Sequence, residues 1–215
     1  MARLLERISV ELPVLAAPMA GGASTTELVA AAGRAGSLGF VAAGYKSPEA
    51  LSEQIDAVRA ERVPFGVNLF APNPVPIAEG EFRRYAEALE PEANRHGLST
   101  RDARAVTDDD HWADKLEVLR SDPVPLVSFT FGLADPTVVA SLRRAGSLVV
   151  PTVTSAAEAR AAAETGADGL IVQASQAGGH SATFTPGRPR RPVPLTEVIA
   201  ETRHATTLPV IAAGG

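Results

Sequence analysis

Residues 173–180 place Gln173, Ser175, Gln176, Gly178, Gly179 and His180 within one short segment. The paired glycines let main chain approach a ligand closely and offer N–H groups to an anion or a ring oxygen. Imidazole is the side chain best suited to take and return a proton near neutral pH. A second glycine pair, Gly214-Gly215, follows Val210-Ile211-Ala212-Ala213. The plain readings are a flexible loop and a simple turn. The position of both pairs directly after apolar runs favours a binding site, and His180 adds a candidate base. His96, His111 and His204 fall in helical or surface contexts and read as bystanders. The four histidines lack ligand spacing and cysteine is absent, which removes thiolate nucleophiles and thiolate metal sites. Asp108-Asp109-Asp110 precedes the helix-forming run Trp112–Leu119 and reads as helix N-terminal charge rather than a metal cluster. The expectation is that the chemistry here depends on something the chain does not contain.

Seven apolar runs can position these residues: Val14–Ala17, Leu38–Ala42, Phe65–Leu69, Leu126–Phe131, Leu148–Val153, Gly169–Gln173 and Val210–Ala213. They are unbroken rather than alternating, as expected of parallel strands covered on both faces. Helix signals lie between them. Ser24-x-x-Glu27 and Ser155-x-x-Glu158 fit capping boxes, and Ser47-Pro48 and Asp135-Pro136 pair an N-cap with a proline at the first helical position. Gly36, Gly146 and Gly166 mark helix ends.

Repeated β-α units without a break in composition predict a TIM-type (β/α)8 barrel in a single domain, 1–215. An open doubly wound sheet would carry a glycine fingerprint after its first strand, where this chain has Ala17-Pro18-Met19-Ala20-Gly21-Gly22. About seven strands are expected, the last β-α unit being missing, with a charged helical insertion at 72–125 containing Glu79–Asn94 and Asp108–Arg120. The chain has 215 residues, 45% hydrophobic, and a formal charge of −5 without a basic cluster, which argues against nucleic acid or an anionic membrane as partner. Glu6, Glu11 and Pro13 interrupt the N-terminal apolar run, so a buried strand is favoured over a signal peptide. No stretch approaches the ~20 apolar residues of a membrane span. The expectation is a soluble, cytoplasmic protein.

The strand ends, in order, carry Ala16-Ala17-Pro18-Met19, Gly44-Tyr45-Lys46, Asn68-Leu69-Phe70, Ser128-Phe129-Thr130-Phe131-Gly132, Thr152, Gln173 through His180, and Gly214-Gly215. Small residues, amides and hydroxyls suit a planar, hydrogen-bonding ligand with a phosphate. In this order the motifs resemble the nitronate monooxygenase family, formerly called 2-nitropropane dioxygenases. The matches are Pro13-x-x-Ala16-x-Pro18-Met19, Phe65–Phe70, Ser128–Gly132, Gln173–His180 and Pro209–Gly215. The resemblance implies FMN as cofactor, with Pro18 and Met19 along the flavin ring and Asn68 and Gln173 bonding to it. Gly178, Gly179, Gly214 and Gly215 would make backbone contacts, the last two near the phosphate. It implies His180 on the substrate side, as base or orienting group, and oxidation of alkyl nitronates by O2 to a carbonyl compound and nitrite. Phe70, Phe129 and Phe131 are candidate pocket walls, with ordinary core an equal reading for the two in strand four. Two departures stand out: Gln176 occupies a place where members often carry glutamate, and the Gly-Thr loop of the family's eighth strand has no counterpart. The rival readings are a flavin-dependent NAD(P)H reductase for quinones or enoyl thioesters on the same barrel, and a non-catalytic flavin-binding fragment.

Overall fold

The structure, a computed structural model, describes residues 2–72, 75–188 and 192–214. The chain divides into two compact units, one of Met1–Pro72 with Asp109–Gly215 and one of Asn73–Asp108. The first unit begins α1 (Ala2–Glu6), β1 (Leu15–Ala16), α2 (Thr26–Arg34), β2 (Leu38–Ala42), α3 (Pro48–Ala60) and β3 (Phe65–Phe70). The second unit carries α4 (Glu79–Arg95). The first then resumes with α5 (Trp112–Ser121), β4 (Leu126–Thr130), α6 (Pro136–Ala145) and β5 (Leu148–Val153). It continues through α7 (Ala156–Glu164), β6 (Leu170–Gln173), α8 (Leu195–Ala205) and β7 (Val210–Ala213).

The strands are all parallel and lie side by side in chain order, β1 to β7. With helices alternating between them this is the arrangement of a TIM-type barrel, represented by seven strands among the described residues. The pleat sorts each apolar run into two faces. Leu38, Phe40, Leu126, Leu148, Val150 and Ile171 meet inside the curled sheet, with Leu15 and Ile211 beside them. Their neighbours Val41, Val67, Leu69, Val127, Phe129 and Val149 turn outward onto α2, α3, α5 and α6 through Val29, Leu51, Ile55, Leu116, Leu119 and Leu142. Phe129 is therefore ordinary core under the helices and not a wall of a site. Leu4, Leu5, Ile8 and Val10 join the inner cluster, so the N-terminal segment covers the end of the interior where the strands begin.

Several boundaries differ from expectation for local reasons. β1 is only Leu15–Ala16, flanked by Pro13 and Pro18, which have no N–H to give to a ladder. β4 stops at Thr130 because Phe131 adopts φ +73°, outside the extended region. The N-cap of α2 is Thr25, whose hydroxyl accepts from the Leu28 N–H at 3.2 Å; Ser24 is occupied elsewhere, accepting from the Met19 N–H at 2.9 Å. Ser47, Asp135 and Ser155 cap α3, α6 and α7 as expected. The Thr137 hydroxyl and backbone N–H, at 2.7 and 2.8 Å, hold the Asp135 carboxyl below the usual carboxylate range.

The segment 72–125 contains two different things. Asn73–Asp108 is the separate unit, in which Glu90 of α4 accepts from the Thr100 N–H and hydroxyl, each at 2.6 Å. α5 instead belongs to the barrel, packing Leu116 and Leu119 into the layer between sheet and helices. It begins at Trp112 and not at Asp108, because Asp110 and His111 both take left-handed φ, +55° and +54°. Leu5, 6% exposed within the inner cluster, tests the cover over the strand beginnings. Leu5→Ala is expected to cost about 2–5 kcal/mol in urea unfolding, and a change below 1 kcal/mol would contradict this packing.

Candidate active site

On β3, β4 and β6 the inward positions toward the C-terminal ends include the polar residues Asn68, Ser128, Thr130 and Gln173, unlike the apolar ones below them. Asn68 and Ser128 are paired in register, as are Phe70 and Thr130. The buried Asn68 amide donates to Ser128 Oγ at 2.8 Å and to Thr130 Oγ1 at 3.0 Å. Both amide hydrogens are thereby used, and Oδ1 lies 3.4 Å from the same Thr130 hydroxyl, so the amide is held on both sides by β4.

Above this layer four rings form a row. Tyr45 meets Phe70 edge-on at 5.4 Å between centroids, Phe70 meets Phe131 at 4.8 Å, and Phe131 meets the His180 imidazole at 6.2 Å. These contacts are typical of aromatic pairs in distance and orientation. Phe70 and Phe131 thus make a wall, and the imidazole of His180 stands exposed at its end. Gly44 makes room for it, since a Cβ there would lie 2.3 Å from the Phe70 ring. Tyr45 and Phe131 both hold positive φ, +67° and +73°, a costly state for bulky residues that surrounding structure must enforce.

For Tyr45 the enforcing group is an ion pair. Lys115 of α5, 1% exposed, places Nζ 2.8 Å from Asp110 Oδ2 and donates to the Ala43 carbonyl at 2.9 Å. Asp110 Oδ1 accepts from the Tyr45 N–H at 2.9 Å. The acidic run before α5 therefore serves the β2 rim through Asp110. Neither Lys115 nor Tyr45 was singled out by residue type alone. The available signal was periodicity: Trp112, Lys115, Leu116 and Leu119 share one face of α5, so a lysine stands on its buried stripe.

The β6 end is a tethered loop. Gln173 donates from Nε2 to the His180 carbonyl at 3.0 Å and accepts from the Ala182 N–H at 2.8 Å, so its amide holds the chain on both sides of Ser181. The exposed amides of Gly178, Gly179 and His180 find no protein acceptor among the described residues. Around Gly178 and Gly179 a Cβ would meet nothing within 4 Å. Gly214, at φ +85°, packs so closely on this loop that a Cβ would come within 2.4 Å of Ala177 Cβ. Pro18 is half-buried and Met19 is exposed, beyond β1. Gly215 lies outside the described residues. Asn68, Gln173, Gly178, Gly179, His180 and Gly214 thus all lie at the C-terminal ends of β3, β6 and β7, and the ring contacts bind the β6 loop to the β2–β4 rim.

Residues 2–215 match the sequence model of the family described as Nitronate monooxygenase. The chain belongs to the nitronate monooxygenase family. A probable nitronate monooxygenase of Bacillus subtilis (strain 168) is 32% identical over the whole chain, which spans 61% of that protein. Counterparts from Staphylococcus aureus are 31% identical, the chain spanning 60% of their length. Among solved structures, a nitroalkane oxidase from Streptomyces ansochromogenes is 41% identical with a TM-score of 0.84, over 96% of this chain and 59% of that one. FabK from Thermotoga maritima is 25% identical with a TM-score of 0.68, over 98% of this chain and 53% of that one. The chain spans about three-fifths of the curated relatives it matches.

The buried ion pair gives this rim its own test. Asp110→Ala strands the Lys115 ammonium and is expected to destabilise by about 3–5 kcal/mol. Adding Lys115→Met removes the stranded charge and is expected to recover most of that loss in thermal unfolding. A double variant as unstable as Asp110→Ala would contradict the pairing.

Proposed function

We propose that this chain carries the flavin-facing and proton-handling side of an FMN-dependent enzyme that oxidises alkyl nitronates, and nitroalkanes, with O2 to a carbonyl compound and nitrite. The observation that carries the reading is the imidazole of His180, placed at the end of an aromatic wall and beside a run of free main-chain N–H groups. Family membership and the likeness to a nitroalkane oxidase support it.

The residues present fit an FMN. The interior layer under the rim is neutral and hydrogen-bonding, and the Asn68 carbonyl oxygen, 3.4 Å from the Thr130 hydroxyl, has a second lone pair for a ring N–H. Gly178 and Gly179 offer N–H groups with open space beside them, which suits a phosphate or ring oxygen. Gly214 and Gly215 would extend that contact, Pro18 and Met19 would lie along the ring face, and Gln173 would add an amide hydrogen while continuing to hold its loop. FMN would supply the electron acceptance that no side chain here can provide.

The chain's own part is then binding and proton transfer. An anionic nitronate meets a rim lined by Phe70, Phe131 and His180. For a neutral nitroalkane, an imidazole nitrogen of His180 takes the α-proton; an already ionised nitronate needs no base. The proposal includes small-molecule substrates and a soluble, cytoplasmic setting. Among the described residues no helix is long and apolar enough to cross a membrane.

His180→Ala separates these roles. It is expected to lower nitroalkane turnover by about 10²-fold or more while leaving nitronate turnover and FMN affinity close to wild type. Nitroalkane turnover at the wild-type rate would refute His180 as the base. Anaerobic mixing distinguishes the electron source: flavin bleaching by nitronate supports the proposal, whereas rapid bleaching by NADH alone supports a reductase instead.

A further inference from the structure

We propose that Glu158 is the positioning residue of the β6 loop. Its place in the sequence reads as the last residue of a capping box, in which the carboxylate would return to the N-cap N–H. The structure shows only half of that box. The Glu158 N–H donates to Ser155 Oγ at 3.2 Å, but its carboxylate turns elsewhere. Oε2 accepts from the Thr154 N–H at 2.7 Å and the Thr154 hydroxyl at 2.9 Å. Oε1 accepts from the Thr183 hydroxyl at 2.6 Å, the Phe184 N–H at 3.2 Å and the Thr185 hydroxyl at 3.1 Å.

One carboxylate, 2% exposed, thus ties the end of β5 to the returning limb of the loop that carries Gly178, Gly179 and His180. Gln173 fixes the same limb at His180 and Ala182. Residues 180–185 are held from two sides, while the tip at 176–179 is left exposed or half-exposed toward a ligand. A cavity of about 430 Å³ lies beneath this limb, bounded by Glu158, Gln173, Thr183 and Thr185 together with α7 and α8 residues. Phe184 packs on the apolar cluster of β5, β6, α7 and α8, and the two polar anchors fix the limb on either side of that contact.

Burying a carboxylate is costly unless its oxygens are fully engaged. Five neutral donors engage this one, and two of them are backbone N–H groups, one facing each oxygen. Hydroxyls can turn to suit a different partner, but a backbone N–H can only donate. Glutamine in this place would set its NH2 against either Thr154 or Phe184 in every orientation. The acid is required for its two acceptors, and through the loop it sets where the His180 ring stands against Phe131.

The assignment rests on the β6 loop being the working face of the site, yet its test needs no substrate. In Glu158→Gln, hydrogen exchange at the Ala182 and Phe184 amides is expected to accelerate about tenfold or more, with amides of β2 to β4 unchanged. The His180 ring proton resonances are expected to shift, because the Phe131 ring stands against them at 6.2 Å between centroids. Thr185→Val, which removes one hydroxyl donor, should produce the same changes more weakly and guards against a variant that fails to fold. Unchanged exchange and unchanged His180 resonances in Glu158→Gln would overturn the proposal, as would acceleration spread evenly over the barrel. Lack of nitronate turnover in the wild type would count against the proposed function and leave this result standing.

Discussion

The whole arrangement depends on the pleat of a parallel sheet that is buried on both faces. A strand in that position must spend alternate residues on two different cores, and the parity of each strand decides which residues remain inside. Leu38 and Phe40, Leu126, and Leu148 and Val150 fill the interior, while Val41, Val127 and Val149 go to the helices. Carried one step further along the chain, the same parity brings Asn68, Ser128, Thr130 and Gln173 inward at the ends of their strands. A one-residue slip would send these amides and hydroxyls under the helices and bring Leu69 and Phe129 into the mouth.

That geometry explains why the site is made of neutral groups. Asn68 is satisfied by its own neighbours in the sheet, so its polar atoms are held before any ligand arrives. The charges near the rim are spent on scaffolding. Lys115 and Asp110 neutralise each other and fix the β2 end, where Tyr45 is held in a left-handed conformation. Glu158 is saturated by donors from β5's end and the β6 loop. What faces outward is an aromatic wall, main-chain N–H groups and one imidazole, which is a suitable lining for a planar cofactor and a small anion.

Much of the fold was legible in the chain because it is written in local terms. Unbroken apolar runs stand for doubly covered strands, and Ser47, Asp135 and Ser155 announce the helices that follow them. The His180 loop was legible for the same reason, since glycine pairs and histidine stand directly after a run. What escaped was set by contacts far apart in sequence. Lys115 reaches back to Ala43, and Glu158 reaches forward to Thr183, Phe184 and Thr185. The acidic run at 108–110 and the box at Ser155 have ordinary helix-capping explanations, and only the folded chain shows that Asp110 and Glu158 serve the rim. The positive φ of Phe131, which ends β4 and aims a ring along the row, has no local signature at all.

The central claim is that the neutral mouth built by this register is a flavin site. Titration of FMN with the purified chain, followed by flavin fluorescence, tests it most directly. Saturable quenching with one FMN per chain, weakened when Asn68 is replaced by alanine, is the expected result. A flavin signal that stays at its free-solution value across the titration would contradict the account.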